Sequence, residues 1–385
     1  MISVKDADAL IARHLNPAAS EHVALSDAHG RVLRETLCAD RDFPPFHRVA
    51  MDGIAISSAE CARGRRDFQI AFTQAAGAPG QTLAQPEACA EVMTGAVLPA
   101  SSDCVVPVEC ITIADGVATL KDDIHPSPMD NVHALGSDRK KGDALLRPGK
   151  TLFAPQIAVA ATVGASMIEV AALPRIAIVS TGDELVDVEA TPEPHQIRRS
   201  NVHAIEASLR LAGFTNICAQ YLKDDADIIR ESLQALIASC DVLILSGGVS
   251  AGRFDHVPDV LRSLQADIIF HKVSIRPGKP LLFAKASNGS AIFGLPGNPV
   301  SSLVCLQRFI LPALHQSASG DAATLAARPT ATLSDAISFK KSLTLFAPVR
   351  YEVRSEGTIA IPVPMNGSGD LAGLECKGGH TWSDP

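Results

Sequence analysis

Apolar and amphipathic segments alternate between Pro174 and Leu314, and this alternation restricts the possible folds more than any other part of the sequence. Uninterrupted apolar runs such as RIAIVS and DVLIL are typical of strands that are buried on both faces of a sheet. The predicted elements are, in chain order, a strand at 175–180, a helix at 202–211, a strand at 216–222, a helix at 226–238, a strand at 241–245, the later apolar runs ADIIFHKVSI, PLLFAKA and SAIFGLP, and a helix from Val300. This pattern predicts an α/β domain with a mostly parallel sheet and helices on both faces.

The chain on either side of this segment has a different residue pattern. From Phe43 to Asn131, short β-prone runs alternate with clusters of Gly, Pro and Ser, and further β-type runs follow Ser319. A length of 385 residues allows several domains. We predict an elongated multidomain subunit with domain I at 1–45 and 132–165, β-rich domain II at 46–131, α/β domain III at 166–318 and a short β-rich domain IV at 319–385.

Charge and cysteine content narrow the class of protein. A formal net charge of −8 opposes binding to a nucleic-acid backbone or to an anionic membrane. The nine cysteines show no C-x-x-C spacing, which predicts neither a zinc site nor a redox motif, and unpaired thiols fit a reducing cytoplasm.

The stretch 153–173 is apolar enough to raise the question of a membrane-spanning helix. It is interrupted by Pro155, Gln156 and Glu169. We interpret it as a helix that ends near Gly164, followed by a short strand.

Candidate functional residues follow the predicted strands. Ligands of open parallel sheets bind beyond the carboxyl ends of the strands, where the loops converge. The relevant loops are STGDE at 180–184, SGGVSAG at 246–252 with Asp255 after it, RPGKP at 276–280 and GLPGNP at 294–299.

The glycines of SGGVSAG allow backbone amides to approach an anion at the start of a helix. Their spacing matches neither the dinucleotide-binding nor the P-loop motif. A tight turn between strand and helix explains these glycines equally well, so the loop alone leaves both interpretations open.

Asp183, Glu184 and Asp255 place carboxylates after two different strands. Converging carboxylates bind Mg²⁺, which is commonly shared with substrate phosphates. Each residue taken singly is also typical of a helix cap. The glycine loop between them favours a site for metal and phosphate.

Other motifs are weaker when taken alone. Arg276 and Lys279 lie in a turn that two prolines restrain, which suits an oxyanion but also describes a solvated basic turn. GLPGNP precedes a helix with Asn298 as a candidate N-cap. In the β-rich region, Asp52 of AMDG and Thr94 of MTGA are each typical of turns.

Seven motifs occur together in the order found in molybdopterin molybdenumtransferases, the MoeA family. They are PPFHRVAMDGIAI, MTGAVLPASSDCVVPVE, STGDEL, QIRRSN, SGGVSAGRFD, RPGKP and GLPGNPVSS. The chain resembles this family from its first helix to about residue 318, and more weakly to its C-terminus. The resemblance implies a molybdopterin-binding α/β domain and an enzyme of molybdenum cofactor biosynthesis. Such an enzyme inserts molybdenum from molybdate into adenylylated molybdopterin, with Mg²⁺-assisted release of AMP.

The resemblance also implies roles for residues of this sequence. The implied catalytic residues are Asp52, Thr94, Glu184, Asp255 and Lys279, and the implied metal ligands are Asp183, Glu184 and Asp255. The implied substrate-binding residues are Thr181, Gly182, Ser246, Gly247, Gly248, Ser250, Gly252, Arg276, Pro296, Asn298 and Pro299. Asp138 matches a further family position. We expect the glycine-loop amides to hold the phosphate and Lys279, with Arg276 or Lys272, to receive molybdate.

The implied assembly is a homodimer with its site between domain III of one subunit and domain II of the other. Asp52 and Thr94 match positions that the partner subunit supplies in this family. The molybdopterin adenylyltransferase and molybdoenzyme chaperones are further expected partners, whereas nucleic acid and membranes are not expected.

Two features depart from the family pattern. Arg199 of QIRRSN stands where many members carry Asp or Asn, and the C-terminal module is short. Two other functions stay open at this point: adenylylation of molybdopterin from ATP, and a non-catalytic scaffold. The flanking β-rich regions with AMDG and MTGA argue against the first, and the lack of a long linker or tail argues against the second.

Overall fold

The computed structural model describes residues 1–249, 255–319, 330–339, 341–355, 357–364 and 367–374. The chain divides into two compact units. Unit 1 comprises Met1–Arg34, Pro148–Phe153 and Met167–Pro385, and unit 2 comprises Glu35–Arg147 and Ala154–Ser166. The finer division into four domains remains a prediction.

Both units contain helices and strands, which we number in chain order. The helices are α1 Val4–His14, α2 Ser58–Ala62, α3 Ala154–Thr162, α4 Asn201–Leu211, α5 Ala226–Ser239, α6 Val257–Ser263, α7 Pro299–Cys305 and α8 Leu311–Ser319, with a π-helical turn at Leu306–Ile310. The first strands are β1 Ser20–Ala24, β2 Leu37–Cys38, β3 Arg48–Val49, β4 Gly53–Ile56, β5 Asp67–Gln74, β6 Ala88–Val92, β7 Cys104–Pro107, β8 Ile111–Ala114, β9 Val117–Leu120, β10 Val132–His133 and β11 Ala144–Leu146. The next are β12 Met167–Ala171, β13 Ile176–Thr181, β14 Leu185–Val186, β15 Ile197–Arg198, β16 Ile217–Leu222, β17 Val242–Ser246, β18 Asp267–His271, β19 Ile275–Arg276, β20 Leu282–Lys285 and β21 Ala291–Leu295. The last are β22 Thr332–Leu333, β23 Thr344–Leu345, β24 Val349–Arg354 and β25 Gly357–Pro362.

Unit 1 is built on a six-stranded sheet in the order β16-β13-β17-β21-β20-β18. Strands β16, β13, β17 and β21 are parallel. Along β13, Ile176 and Ile178 face an apolar core shared with α4 and α8, while Ala177 and Val179 face a second core shared with α5 and α6. The predicted α/β domain with a mostly parallel sheet and helices on both faces is confirmed, and the double burial explains the continuous apolar strands.

The predicted elements agree closely with the structure in this region. Helix α4 begins at Asn201, one residue before the predicted start, and α5 ends at Ser239, one residue after the predicted end. The α5 helix begins where the Asp225 carboxylate accepts hydrogen bonds from the amides of Asp227 and Ile228. The stretch 153–173 forms α3 and β12, in agreement with the interpretation as a helix and a short strand.

The far edge of the sheet departs from the parallel arrangement. Strand β20 runs antiparallel to both β21 and β18. The connections, residues 272–281 and 286–290, contain no helix. A parallel pair requires a crossover of about a dozen residues or more, usually through a helix. The short connections therefore account for the antiparallel pairing.

Unit 2 contains a six-stranded sheet in the order β7-β4-β6-β5-β9-β8. Strand β4 is antiparallel to β6 and β7, whereas β5 is parallel to β6. Ile54 and Phe68 belong to the apolar core on one side of the sheet, and Ala55 and Ala90 belong to the core on the other. The β-rich character predicted for this part of the chain is confirmed.

Near the C-terminus, the described residues include a three-stranded sheet in the order β22-β25-β24. No helix among the described residues combines the length and the apolar character required to span a membrane.

Candidate functional site

The predicted loops meet in a cavity of about 460 Å³ at the carboxyl edge of the unit 1 sheet. Strands β13, β16, β17 and β21 all end there because they are parallel. The predicted site residues that line it are Thr181, Gly182, Glu184, Ser246, Gly247, Gly248, Asp255, Pro296, Asn298 and Pro299. Four loops that are distant in sequence thus contribute to one concave site.

The glycine loop passes very close to the end of β13. A Cβ atom on Gly247 would lie 2.6 Å from the Thr181 carbonyl oxygen, and one on Gly248 would lie 2.9 Å from Thr181 Oγ1. Both glycines have a left-handed backbone, with φ of +100° and +66°. The Gly247 amide donates to the Leu295 carbonyl at 3.2 Å, whereas the Gly248 amide has no partner among the described residues. The loop therefore offers a backbone donor at the cavity wall. Ser250 and Gly252 lie outside the described residues.

Thr181 carries a polar atom that lacks a partner among the described residues. Its Oγ1 is buried and makes no hydrogen bond to any described residue. Buried hydroxyl groups in folded proteins are nearly always hydrogen-bonded. An unpaired hydroxyl beside two glycines is consistent with a site that is completed by a polar ligand.

Carboxylates form a further part of the cavity wall. Glu184, Asp224 and Asp255 line it, and the exposed Asp183 accepts a hydrogen bond at Oδ1 from the Asp224 amide at 3.2 Å. Burial raises the pKa of Asp224, and the neighbouring negative charges of Asp183 and Glu184 raise it further. This wall concentrates negative charge where a cation would relieve the repulsion.

Mg²⁺ fits this arrangement as a shared ion. Among the described residues, no group of three His, Cys, Asp or Glu side chains converges closely enough to hold a metal without help. Mg²⁺ is commonly bound through one or two carboxylates together with substrate phosphates, and it prefers oxygen ligands. The carboxylates present therefore suit an ion that arrives with a phosphate-bearing substrate.

Asp224 and Asn201 line the cavity but were not singled out from the sequence. Asn201 Nδ2 donates to Ser246 Oγ at 2.9 Å and to the Gly297 carbonyl at 2.8 Å, which links two of the site loops. A signal for Asp224 existed, because it follows the predicted strand 216–222 as Asp183 follows 175–180. Asn201 belongs to the motif QIRRSN, to which the sequence pattern assigned no role at this residue.

The basic turn lies at the margin of the site. The side chains of Arg276 and Lys279 are exposed and do not line the cavity, although Pro280 of the same turn does. A Cβ on Gly278 would lie 2.6 Å from Cys305 Sγ, so the turn packs closely against α7. Neither Arg276 nor Lys279 forms an ion pair with a described residue, which leaves both cations available.

The GLPGNP turn leads into α7, whose first residue is Pro299. Asn298 occupies the N-cap position, but its side chain makes no capping hydrogen bond. Its Nδ2 instead donates to Ser368 Oγ at 2.9 Å. The prediction of Asn298 as the N-cap residue is confirmed, although the residue occupies this position without a capping hydrogen bond from its side chain.

In unit 2, Asp52 and Thr94 lie in contact. Asp52 Oδ1 accepts hydrogen bonds from the Thr94 hydroxyl and the Thr94 amide, both at 2.7 Å. Strands β4 and β6 are antiparallel with Gly53 opposite Val92, so the start of one lies beside the end of the other. The two hydrogen bonds lower the pKa of Asp52 and favour its charged form.

Asp138 also lies in unit 2, where it is exposed, and its amide donates to the Phe43 carbonyl at 2.9 Å. The functional roles of Asp52, Thr94 and Asp138 remain predictions.

Comparison with known proteins agrees with these features. Residues 2–164 match the family described as "MoeA N-terminal region (domain I and II)", and residues 177–316 match the family described as "Probable molybdopterin binding domain". The chain is 38% identical over 376 residues to a molybdopterin molybdenumtransferase of Synechocystis, covering 97% of this chain and 93% of that protein. It is 29% identical to a molybdopterin molybdenumtransferase of Staphylococcus epidermidis, covering 97% and 89%.

Solved structures show the same similarity. A molybdopterin biosynthesis MoeA protein of Pyrococcus horikoshii OT3 has a TM-score of 0.80 and 25% identity, covering 97% of this chain and 93% of that chain. Sequence and fold thus agree over nearly the whole chain. The chain belongs to the MoeA family of molybdopterin molybdenumtransferases, which are transferases of molybdenum cofactor biosynthesis.

Proposed function

We propose that this enzyme inserts molybdenum from molybdate into adenylylated molybdopterin and releases AMP with the assistance of Mg²⁺. The observation that carries the proposal is the cavity at the carboxyl edge of the sheet. There, carboxylates and the Gly248 amide, which makes no hydrogen bond to a described residue, line one space. A phosphate-bearing substrate would meet hydrogen-bond donors there and, through a divalent cation, the carboxylates.

Of the expected ligands, Glu184 and Asp255 line the cavity and would hold the Mg²⁺ together with substrate phosphates, while Asp183 and Asp224 add carboxylates beside them. The raised pKa of Asp224 supports this assignment, because it reflects a crowding of negative charge that a divalent cation offsets. When bound, Mg²⁺ neutralises the pyrophosphate and polarises its phosphorus. The protein carboxylates orient the ion toward the cavity.

The anionic groups of the substrates require donors of their own. The Gly248 amide suits a phosphate oxygen of the adenylylated substrate. Lys279, with Arg276 or Lys272, would receive molybdate, and the exposure of Lys279 without an ion pair among the described residues supports that role. Thr181 Oγ1, which is buried and makes no hydrogen bond to a described residue, would contribute a further hydrogen bond.

The proposal includes a homodimer in which Asp52 of the partner subunit and Thr94 of the partner subunit complete the site. The resemblance to the family motivates this step, and the lowered pKa of Asp52 supports a carboxylate that stays charged. The molybdopterin adenylyltransferase would supply the substrate and molybdoenzyme chaperones would accept the product. A reducing cytoplasm would preserve the dithiolene as well as the free cysteines of the described residues.

The decisive experiment supplies adenylyl-molybdopterin, MgCl₂ and molybdate, and measures AMP together with the reconstitution of a cofactor-free molybdoenzyme. Glu184→Ala is expected to lower the rate on the order of 100-fold, because it removes a carboxylate that the substrate-bound ion requires. Glu231→Ala, which removes an exposed carboxylate from α5, is the matched control and should retain the wild-type rate. A wild-type rate in Glu184→Ala contradicts the role of Glu184. Production of adenylylated molybdopterin from ATP by the unaltered protein identifies the adenylyltransferase reaction instead.

The shared site has a separate test. Asp52→Ala and Glu184→Ala subunits are each expected to be inactive as pure dimers. After exchange in equal amounts, about half of the dimers are mixed, and each mixed dimer contains one intact site if the site is shared. Activity should then recover to about a quarter of the wild-type value. No recovery, with exchange verified by native mass spectrometry, excludes a site shared in this way.

A further inference from the structure

Arg199 departs from the family pattern, and the structure shows which groups its guanidinium contacts. Arg199 Cζ lies over the Tyr221 ring, 5.1 Å from the ring centroid, and the guanidinium pairs with the Asp187 carboxylate. The side chain is 21% exposed although it lines the cavity. A guanidinium that is stacked and paired in this way is committed to protein contacts and is not a free cation for a substrate.

Tyr221 connects this contact to the acidic turn. It lies on β16 in register with Ser180 of β13, and its hydroxyl donates to the Gly182 carbonyl at 3.2 Å. The same carbonyl accepts a hydrogen bond from the Leu185 amide at 3.1 Å. Gly182 directly precedes Asp183 and Glu184, so the tyrosine holds the peptide from which the acidic turn begins.

Backbone hydrogen bonds join the segment 197–199 to the acidic turn. The Ile197 amide donates to the Glu184 carbonyl at 2.8 Å, and the Arg199 amide donates to the Val186 carbonyl at 3.0 Å. The segment that carries Arg199 is thus bonded to the turn that carries Glu184. The Arg199 side chain in turn lies on the Tyr221 ring, and the Tyr221 hydroxyl donates to the Gly182 carbonyl. Both ends of the turn 182–187 are restrained by one connected set of contacts.

We propose that Tyr221 and Arg199 are positioning residues that hold the turn 182–187 so that Glu184 is presented to the cavity in the geometry that receives Mg²⁺. The proposal rests on the function proposed above. It requires neither residue to touch a substrate. Partners that orient metal ligands typically affect metal affinity about 10-fold or more when they are removed.

Two changes separate the contacts. Tyr221→Phe removes only the hydroxyl and keeps the ring under Arg199, whereas Arg199→Lys keeps a positive charge and removes the planar stacking group. Each is expected to raise the Mg²⁺ concentration for half-maximal AMP release about tenfold, which corresponds to about 1.4 kcal/mol. At saturating Mg²⁺, kcat and the KM for adenylyl-molybdopterin should stay within about twofold of wild type. Tyr351→Phe, at the only other tyrosine of the chain, is the control and should change neither value.

Amide hydrogen exchange supplies a readout that does not depend on activity. In metal-free protein, residues 182–187 should exchange faster in Tyr221→Phe and in Arg199→Lys, while α4 and α5 remain protected as in wild type. Faster exchange with an unchanged Mg²⁺ dependence contradicts the proposal, as does unchanged exchange in both variants. A change in KM for the substrate at saturating Mg²⁺ assigns Arg199 to direct binding and also overturns it. Failure of the proposed function shows instead as absent AMP release by wild-type protein, which the exchange measurement does not depend on.

Discussion

The two compact units each contain a six-stranded sheet, yet they present functional residues in different ways. In unit 1, four parallel strands end at one edge, so loops from distant parts of the sequence meet in one cavity. In unit 2, the antiparallel pair β4 and β6 brings the start of one strand beside the end of the other. The result there is a single hydrogen-bonded pair, Asp52 and Thr94. Strand direction thus decides whether a sheet edge collects many loops or joins two.

Both units nevertheless rely on glycines where the backbone passes close to a neighbouring strand. A Cβ on Gly53 would lie 2.0 Å from the Val106 carbonyl oxygen, and one on Gly247 would lie 2.6 Å from the Thr181 carbonyl oxygen. In each case the obstacle is backbone, which yields less readily than the end of a flexible side chain. Substitution of each glycine by alanine therefore tests how firmly each unit holds its functional residues.

The largest effect is expected for Gly53→Ala in unit 2. The methyl group would force β4 away from β7, and we expect the free energy of unfolding of this unit to fall by about 3 kcal/mol. Gly64→Ala is the control, because no atom lies within 4 Å of its Cβ position and only its positive φ opposes the change, at a cost of about 1 kcal/mol. Urea unfolding, combined with hydrogen exchange resolved to residues 53–107, measures the difference. Equal losses in the two variants contradict the steric explanation.

Gly247→Ala should have the next largest effect, and it acts on unit 1. Its longer contact distance predicts a loss of about 2 kcal/mol in the free energy of unfolding, together with weaker binding of the adenylylated substrate. Gly213→Ala shares a positive φ but meets no atom within 4 Å, so we expect about 1 kcal/mol and normal binding. Calorimetric unfolding and equilibrium binding of the substrate are the measurements. Normal substrate binding by Gly247→Ala would show that the glycine loop is not part of the substrate site.

Thr94→Val should act mainly on the pKa of Asp52. It removes the hydroxyl donor and keeps the backbone donor, so the pKa of Asp52 should rise toward its usual range. In wild type the lowered pKa stabilises the fold above about pH 4, and this contribution is lost as the pH falls through that pKa. Carboxyl carbon NMR titration measures the change. Thr119→Val, which removes a comparable hydrogen bond to Asp67, should leave the Asp52 titration unaltered.

The smallest effect on stability is expected for Asp224→Asn. Burial and the charges of Asp183 and Glu184 raise the pKa of Asp224, so its ionisation opposes folding at neutral pH. The amide should increase the free energy of unfolding on the order of 0.5 kcal/mol without Mg²⁺, after allowance for solvent screening. In wild type the same destabilisation disappears as the pH falls through the raised pKa toward about 3.9.

Added Mg²⁺ should reverse the order of stability, because the wild type gains a ligand for the ion. Thermal unfolding from about pH 3.5 to 8, with and without MgCl₂, tests both signs. Glu231→Gln on α5 serves as the control for loss of an exposed charge. If Asp224→Asn unfolds at a lower temperature than wild type without Mg²⁺, repulsion between Asp224 and the neighbouring carboxylates is not the cause.

Much of unit 1 could be predicted from the sequence. Continuous apolar runs separated by amphipathic segments identify β13, β16 and β17 together with α4 and α5, because strands buried on both faces leave no polar alternation. Since parallel strands end at one edge, the same pattern also placed the loops that carry Glu184, Gly247 and Asp255. The reversed direction of β20, which runs antiparallel to its neighbours β21 and β18, was less predictable, because an apolar run does not indicate the direction of its strand.

The chemical groups that follow the strands can be read directly from the chain: carboxylates in STGDEL, glycines in SGGVSAG and cations in RPGKP. The contacts that these groups make become visible only in the folded protein. The tertiary structure placed Asp224 beside Asp183, joined Ser246 to Gly297 through Asn201, and engaged the charge of Arg199 with Tyr221. The physical reason is that such contacts depend on the register between neighbouring strands. Burial of two apolar cores sets that register, and no local spacing in the chain records it.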